Sequence, residues 1–183
     1  MKDLFASNKK LYLITDRNIS GLSHLSMVRK AARSGIKVVQ IREKLLSKKK
    51  LYSELMILRR LASRQNITLI VNDYVDIALA VSADGVHLGQ DDMPVREARG
   101  ILGRKVIIGK STHTVKQAVD AELEGADYIG FGPVFFTDTK DAGSPRGVSR
   151  LRNVRRAVRI PLVAIGGITS ENVRQVLDAG ADA

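Results

Sequence analysis

The stretch VVQIREKLLSKKKLYSELMILRRLASRQNITLIVN, residues 38–72, decides the fold. It opens on a short apolar run, Val38–Arg42, continues through a longer stretch of helical period, Lys49–Arg64, and closes on a second apolar run, Thr68–Asn72. Strand, helix, strand is the grammar of a βαβ unit. Strands that are apolar almost without interruption belong to a parallel sheet covered by helices.

The same rhythm extends in both directions. Further strands are expected at Leu11–Thr15, Gly85–Leu88, Val106–Ser111, Tyr128–Phe131 and Leu162–Ile165. Further helices are expected at Ser23–Ser34, Val75–Val81, Val95–Leu102, Val115–Glu124, Ser149–Val158 and Ser170–Ala179. Gly35, Gly103, Gly125 and Gly180 stand where helices should close, and Thr114 and Thr169 where N-caps belong. An open doubly wound sheet and a closed barrel both fit this order. No G-x-G-x-x-G follows the first strand, which weakens the dinucleotide-binding version. Seven units can be counted, and Gly180–Ala183 reads as the lead into an eighth strand. The expectation is therefore an α/β chain of the TIM (β/α)8 barrel class, one domain over residues 1–183, truncated before or within the eighth βα unit and short of it by about 20–30 residues.

Composition narrows the function. The chain has 183 residues, an apolar fraction of 44% and no Cys. The absence of Cys excludes a disulfide framework, Cys-ligated zinc and a thiol nucleophile, and fits a reducing cytosol, hence a cytoplasmic expectation. No run of about 18 apolar residues exists to span a membrane. The formal charge is +11, from 30 Lys and Arg against 19 Asp and Glu. Nucleic-acid binding would be one use of that charge. However, the basic residues are scattered over several helices and aromatics make up only 4%, leaving no stacking platform for single strands. A solvated basic surface around a site for anionic small molecules is the better reading. The sequence leaves a homo-oligomer open.

The unusual polar residues fall where strands end, which is where barrels carry their chemistry. Gln40–Lys44 closes strand 2, Asn72-Asp73 strand 3, His87–Asp92 strand 4, Ser111–Thr114 strand 5, Gly132–Lys140 strand 6 and Gly166–Thr169 strand 7. Arg42, Lys44 and Lys140 offer positive charge and donors to phosphate oxygens. Asp73 and Asp92 offer hard oxygen ligands, and Mg²⁺ commonly takes one or two carboxylates together with substrate phosphates and waters. Gly166-Gly167 lets backbone N–H groups approach an anion. Each residue alone has an ordinary explanation: Arg42 and Lys44 could pair with Glu43, and Asp73 or Asp92 could cap a helix. His87 reads as a structural hydrogen-bonder, and His113 stays undecided.

These motifs carry a family resemblance. QIREK at Gln40–Lys44, Asn72-Asp73, HLGQDD at His87–Asp92, STHT at Ser111–Thr114, GPVFFTDTK at Gly132–Lys140 and AIGGI at Ala164–Ile168 together resemble thiamine-phosphate synthases (thiamine-phosphate pyrophosphorylases) from Leu11 onward. The resemblance implies a transferase of thiamine biosynthesis. It would condense 4-amino-5-hydroxymethyl-2-methylpyrimidine diphosphate with 4-methyl-5-(2-phosphooxyethyl)thiazole, giving thiamine phosphate and diphosphate. It further implies that Gln40, Ile41, Arg42, Glu43, Lys44, Asn72, Ser111 and Lys140 contact the pyrimidine diphosphate. Asp73 and Asp92 would bind Mg²⁺, and Thr137, Asp138, Thr139, Gly166 and Gly167 would hold the thiazole phosphate. Two positions depart from the family pattern: Phe136 stands where Pro is usual, and Tyr74 where a second Asp is frequent. The eighth strand end, which normally adds contacts to the thiazole phosphate, is not in the sequence. A thiazole tautomerase shares the barrel and the segments after strands 6 and 7, but would not need a metal site; the pair Asp73 and Asp92, with Lys140, argues against it. A non-catalytic remnant is a third reading.

Overall fold

A computed structural model gives the fold, and describes residues 4–5, 10–137 and 143–183. Among the described residues seven strands are separated by helices in chain order, with two helices between the first strand and the second. The strands are β1 Tyr12–Thr15, β2 Val38–Ile41, β3 Thr68–Asn72, β4 Gly85–Leu88, β5 Ile107–Thr112, β6 Tyr128–Phe131 and β7 Leu162–Ala164. The helices are α1 Arg17–Ser20, α2 His24–Arg33, α3 Lys48–Gln65, α4 Val75–Ala80, α5 Val95–Leu102, α6 Val115–Leu123, α7 Gly147–Ala157 and α8 Val173–Asp178. The chain divides into two compact units, Met1–His87 with Ala98–Ile107, and Leu88–Glu97 with Ile108–Ala183.

In the first unit β1, β2, β3 and β4 pair parallel in sequence order, with Tyr12 opposite Val38, Val38 opposite Thr68 and Ile70 opposite Gly85. In the second, β5 pairs with β6 and β6 with β7, again parallel, with Gly109 opposite Tyr128 and Ile129 opposite Leu162. A doubly wound sheet would place an early strand in the middle and reverse direction from there. Strand order that never reverses is the progression of the TIM (β/α)8 class. Every residue of β2 and of β4 is buried, as strands covered on both faces must be. Leu55 and Leu58 of α3 and Leu69 and Ile70 of β3 are fully buried in the first unit; Ile108, Tyr128, Phe131, Leu151 and Leu162 are in the second. Each such side chain contributes about 1.5–3 kcal/mol of burial free energy.

Local chemistry explains the element ends. Ser23, Ser47 and Thr114 each accept a backbone N–H of the helix that follows. Regular α8 begins at Val173, one turn after Thr169: the Thr169 hydroxyl accepts the Glu171 amide at 3.3 Å, its carbonyl accepts the Val173 amide at 2.9 Å and its own amide donates to the Asn172 side chain at 2.8 Å, so Thr169 caps the turn that leads into the helix. The sequence reading also passes over α1, a single turn that Asp16 caps by accepting from Asn18 N and Ile19 N.

Three aspartates repeat one device. The carboxylate of Asp84 accepts the amide of Leu69, that of Asp127 the amide of Ile108, and that of Asp182 the amide of Leu162, each at 2.8 Å. Their own amides answer the carbonyls of the same three residues at 2.7–3.0 Å. Each Asp therefore ties the start of one strand to the chain two elements later. Arg59 holds Asp84 at 3.1 Å and Arg155 holds Asp182 at 3.0 Å. Past Asp182, the Ala183 carbonyl accepts the Ala164 amide at 2.9 Å, alongside β7. No described helix is long and apolar enough to cross a membrane.

Candidate active site

In the first unit the ends of β1, β2 and β3 meet. The Thr15 hydroxyl donates to the Gln40 carbonyl at 3.2 Å and accepts the Arg42 amide at 3.3 Å, locking β1 to the QIREK segment. Gln40 is buried, and its Nε2 donates to the Tyr12 hydroxyl at 2.8 Å. Arg42 Nη1 pairs with Asp16, and Lys44 Nζ pairs with Asp73. Both cations thus use acids from neighbouring strand ends, not Glu43. Asp16 is a residue the sequence reading missed; its only signal was a lone acid directly after an apolar run. Ile41 is buried in β2.

Glu43 has a different set of partners. Its Oε1 accepts the Leu45 and Leu46 amides at 2.7 and 3.2 Å. Its Oε2 lies 3.3 Å from His24 Nε2 and 3.5 Å from Arg17 Nη1. Burial pushes its pKa up, but the Leu45 and Leu46 amides and the His24 ring outweigh that and leave it below the ordinary value. A cleft of ≈ 190 Å³ lies against Asp16, Arg17, Arg42 and the 43–46 turn.

At the end of β3, Asn72 is 7% exposed, and its Nδ2 is buried with no hydrogen-bond partner. An unmet buried donor costs about 1–3 kcal/mol, which a ligand acceptor would recover. Asp73 has φ +65°, a left-handed conformation that Asp tolerates better than most residues. Its amide donates to the His87 carbonyl at 2.8 Å, fixing that conformation. The α4 N-cap is Tyr74, with no side-chain cap bond, so capping does not explain Asp73.

In the second unit, Asp92 Oδ2 accepts the Gly89 amide at 2.6 Å, and Lys110 Nζ donates to the Gly89 carbonyl at 2.6 Å. Burial pulls the pKa of Lys110 down, against the opposing pull of Asp92, Glu124 and Asp91. Lys110 is another residue the sequence reading passed over, hidden as one polar side chain inside an apolar strand. Gln90 Nε2 donates to the Ser111 carbonyl at 2.5 Å, so the Gly89–Asp92 turn is tied to β5 twice. His113 shares a hydrogen bond between Nδ1 and the Gly132 carbonyl at 2.7 Å.

The segments after β6 and β7 are laced together. The Val134 amide donates to the Ile165 carbonyl at 2.8 Å and the Phe135 amide to the Gly166 carbonyl at 2.9 Å. Gly167 has φ +62°, and a Cβ there would overlap the Phe136 carbonyl oxygen. A Cβ on Gly166 would stand 2.5 Å from Pro133 Cβ. Glycine is therefore required at both places by the approach of a neighbouring segment as well as by backbone angle. Thr137 follows Phe136, half-buried. Asp138, Thr139 and Lys140 lie outside the described residues.

Asp73, in the first unit, and Asp92, in the second, each offer carboxylate oxygens of the hard kind that Mg²⁺ takes, and among the described residues no three acidic or His side chains gather into a self-contained cage. A Mg²⁺ carried on a diphosphate needs only one or two carboxylates from protein, so the residue type at either strand end fits it.

The family model for thiamine monophosphate synthase matches residues 11–183. The chain is 48% identical over 177 residues to a thiamine-phosphate synthase of Clostridium novyi, covering 96% of this chain and 87% of that one. It is 50% identical over 175 residues to one from Chloroflexus aurantiacus, covering 94% and 81%. Among solved structures, a thiamine phosphate pyrophosphorylase from Pyrococcus furiosus superposes with a TM-score of 0.85 at 42% identity, covering 93% of this chain and 81% of that one.

Proposed function

This chain belongs to the thiamine monophosphate synthase family, and from that premise we propose that it joins the pyrimidine diphosphate to the thiazole phosphate, releasing diphosphate. Residues 1–183 act in this reading as one barrel domain in the cytoplasm, on small phosphorylated substrates and on neither nucleic acid nor membrane.

The chemistry asks for a departing anion and a waiting nucleophile. The bond between the pyrimidine methylene carbon and the bridging diphosphate oxygen breaks, and its electron pair leaves with the diphosphate. The amino-pyrimidine spreads the positive charge left on the methylene. The thiazole nitrogen lone pair then forms the new C–N bond, and that nitrogen becomes the cationic ring nitrogen of the product. No proton need move, so no general base is required.

Catalysis is then charge stabilisation on the leaving group plus positioning of the nitrogen. Arg42, Lys44 and Lys140 stabilise the diphosphate. Asp73 and Asp92 would each offer a carboxylate oxygen to Mg²⁺, which when bound would supply further positive charge to the diphosphate. Gln40, Asn72 and Ser111 orient the pyrimidine diphosphate. Thr137, Asp138, Thr139, Gly166 and Gly167 hold the thiazole phosphate, Gly167 through its backbone.

The observation that carries this reading is the buried, unpartnered Nδ2 of Asn72 directly before Asp73, whose carboxylate Lys44 holds. A donor, an acid and a cation at one strand end suit a Mg²⁺-bound diphosphate. The test is Asn72→Ala. It should raise KM for the pyrimidine diphosphate about tenfold, the value of a hydrogen bond to a charged group, and leave KM for the thiazole phosphate nearly unchanged. An unchanged pyrimidine KM contradicts the assignment.

A further inference from the structure

The turn after β2 carries two cations, Arg42 and Lys44, on either side of a carboxylate. A bare carboxylate there would repel the diphosphate that the cations attract. The geometry removes that conflict. Glu43 has a side-chain exposure of 6%; one oxygen accepts the Leu45 and Leu46 amides, and the other meets His24 at 3.3 Å and the Arg17 guanidinium in an ion pair at 3.5 Å. Most of the carboxylate's acceptor capacity is thus taken up by the protein.

Its donors tie the turn to three helices. Arg17 belongs to α1 and also reaches Glu54 of α3 at 3.5 Å; His24 belongs to α2. The His24 ring is fully buried, and its Nδ1 has no hydrogen-bond partner. The contact with Glu43 at Nε2 is therefore the ring's polar anchor. The buried ring faces the carboxylate through Nε2 from the first turn of α2.

We infer that Glu43 is a positioning residue that presents Arg42 and Lys44 to the diphosphate, with His24 as its buried support, and that it does not touch the substrate itself. This departs from the resemblance, which counts Glu43 among the pyrimidine diphosphate contacts. The inference rests on the synthase reading only for the anion it names.

The test uses Glu43→Ala and Glu43→Gln in the full chain. Amide hydrogen exchange of Leu45 and Leu46 is followed without substrates, and KM is measured for each substrate. Glu43→Ala should speed exchange at both amides and raise KM for the pyrimidine diphosphate, each by about tenfold, the equivalent of one lost charged hydrogen bond. KM for the thiazole phosphate should stay within about twofold. Glu43→Gln keeps an oxygen for both amides and should bring exchange and KM back to within about threefold of the parent. If Glu43→Ala weakens the pyrimidine diphosphate while both amides stay protected, Glu43 touches substrate and the inference is overturned. Freed amides with an unmoved KM overturn it equally, since the turn would then not present the cations. Should the parent chain make no thiamine phosphate, the synthase reading fails by itself. Calorimetric affinity for inorganic diphosphate then replaces KM, with a tenfold loss in Glu43→Ala expected and no loss contradicting the inference.

Discussion

Replacing Asp73 separates what the residue does for the fold from what it does for the reaction. Two structural terms are visible. Its backbone is left-handed at φ +65°, where an alanine costs about 1–2 kcal/mol. Its ion pair with Lys44 joins a half-exposed ammonium to a largely buried carboxylate, and a pair this open to solvent contributes about 0–1 kcal/mol. Asp73→Ala should therefore lose about 1–3 kcal/mol of stability, a fall in Tm of about 2–12 °C for a chain of this size. Asp73→Asn tolerates the same backbone and should lose no more than about 1 kcal/mol. Asp73→Gly removes the side chain without the left-handed penalty and should fall between them. Activity should sort differently. All three variants remove the carboxylate proposed to bind Mg²⁺, so all three should lose about 10²-fold or more in Mg²⁺-dependent turnover, the scale of losing one group that stabilises developing charge. Thermal unfolding and steady-state rates at saturating substrates, titrated with Mg²⁺, give both orderings. Asp73→Asn with full turnover and an unchanged Mg²⁺ requirement refutes the reasoning.

Gly167→Ala should destabilise the chain by more than the left-handed penalty of about 1–2 kcal/mol, because its Cβ meets the Phe136 carbonyl; denaturant unfolding checks that, and KM for the thiazole phosphate should rise while that for the pyrimidine diphosphate holds. Asp127→Ala strips the acceptor from the Ile108 amide and should cost about 1–3 kcal/mol with substrate KM values intact. Glu43 gives an acid-side pH dependence. Its folded pKa lies below its ordinary value of 4.5, so its stabilisation is complete above that value and is lost as pH falls through the lower folded value. Glu43→Gln should accordingly show a flatter loss of stability below about pH 4.5 than the parent, measured by unfolding at a series of pH values.

The parallel α/β class was legible because its signal is periodic, with apolar runs at β2, β3 and β4 separated by helices of the right length; the barrel, as against an open sheet, rested on the count of units, the absent G-x-G-x-x-G and the family resemblance. The strand-end residues were legible for the same reason, since a polar cluster after an apolar run must sit at the sheet's carboxyl edge. What a single sequence hides is pairing across long separations. Arg42 meets Asp16, 26 residues away, and Lys44 meets Asp73, 29 residues away, where neighbouring Glu43 looked the obvious partner. Glu43 in turn finds His24, which sequence alone gave no reason to notice. Thr169 reads as a cap from its residue type and does cap the turn before α8, but regular helix starts only at Val173, a boundary the residue type alone does not fix. The Ala-Asp pairs at 83–84, 126–127 and 181–182 were a repeat in plain view. Their meaning appears only when each carboxylate is seen on the strand-start amide it satisfies.

The most direct test of the account mixes the purified chain with the pyrimidine diphosphate and the thiazole phosphate and counts products, with Mg²⁺ and after its chelation. The account predicts one thiamine phosphate for each diphosphate released, no formation under chelation, and recovery when Mg²⁺ is returned. Isomerisation of the thiazole alone, or product formed at full rate without the metal, contradicts it.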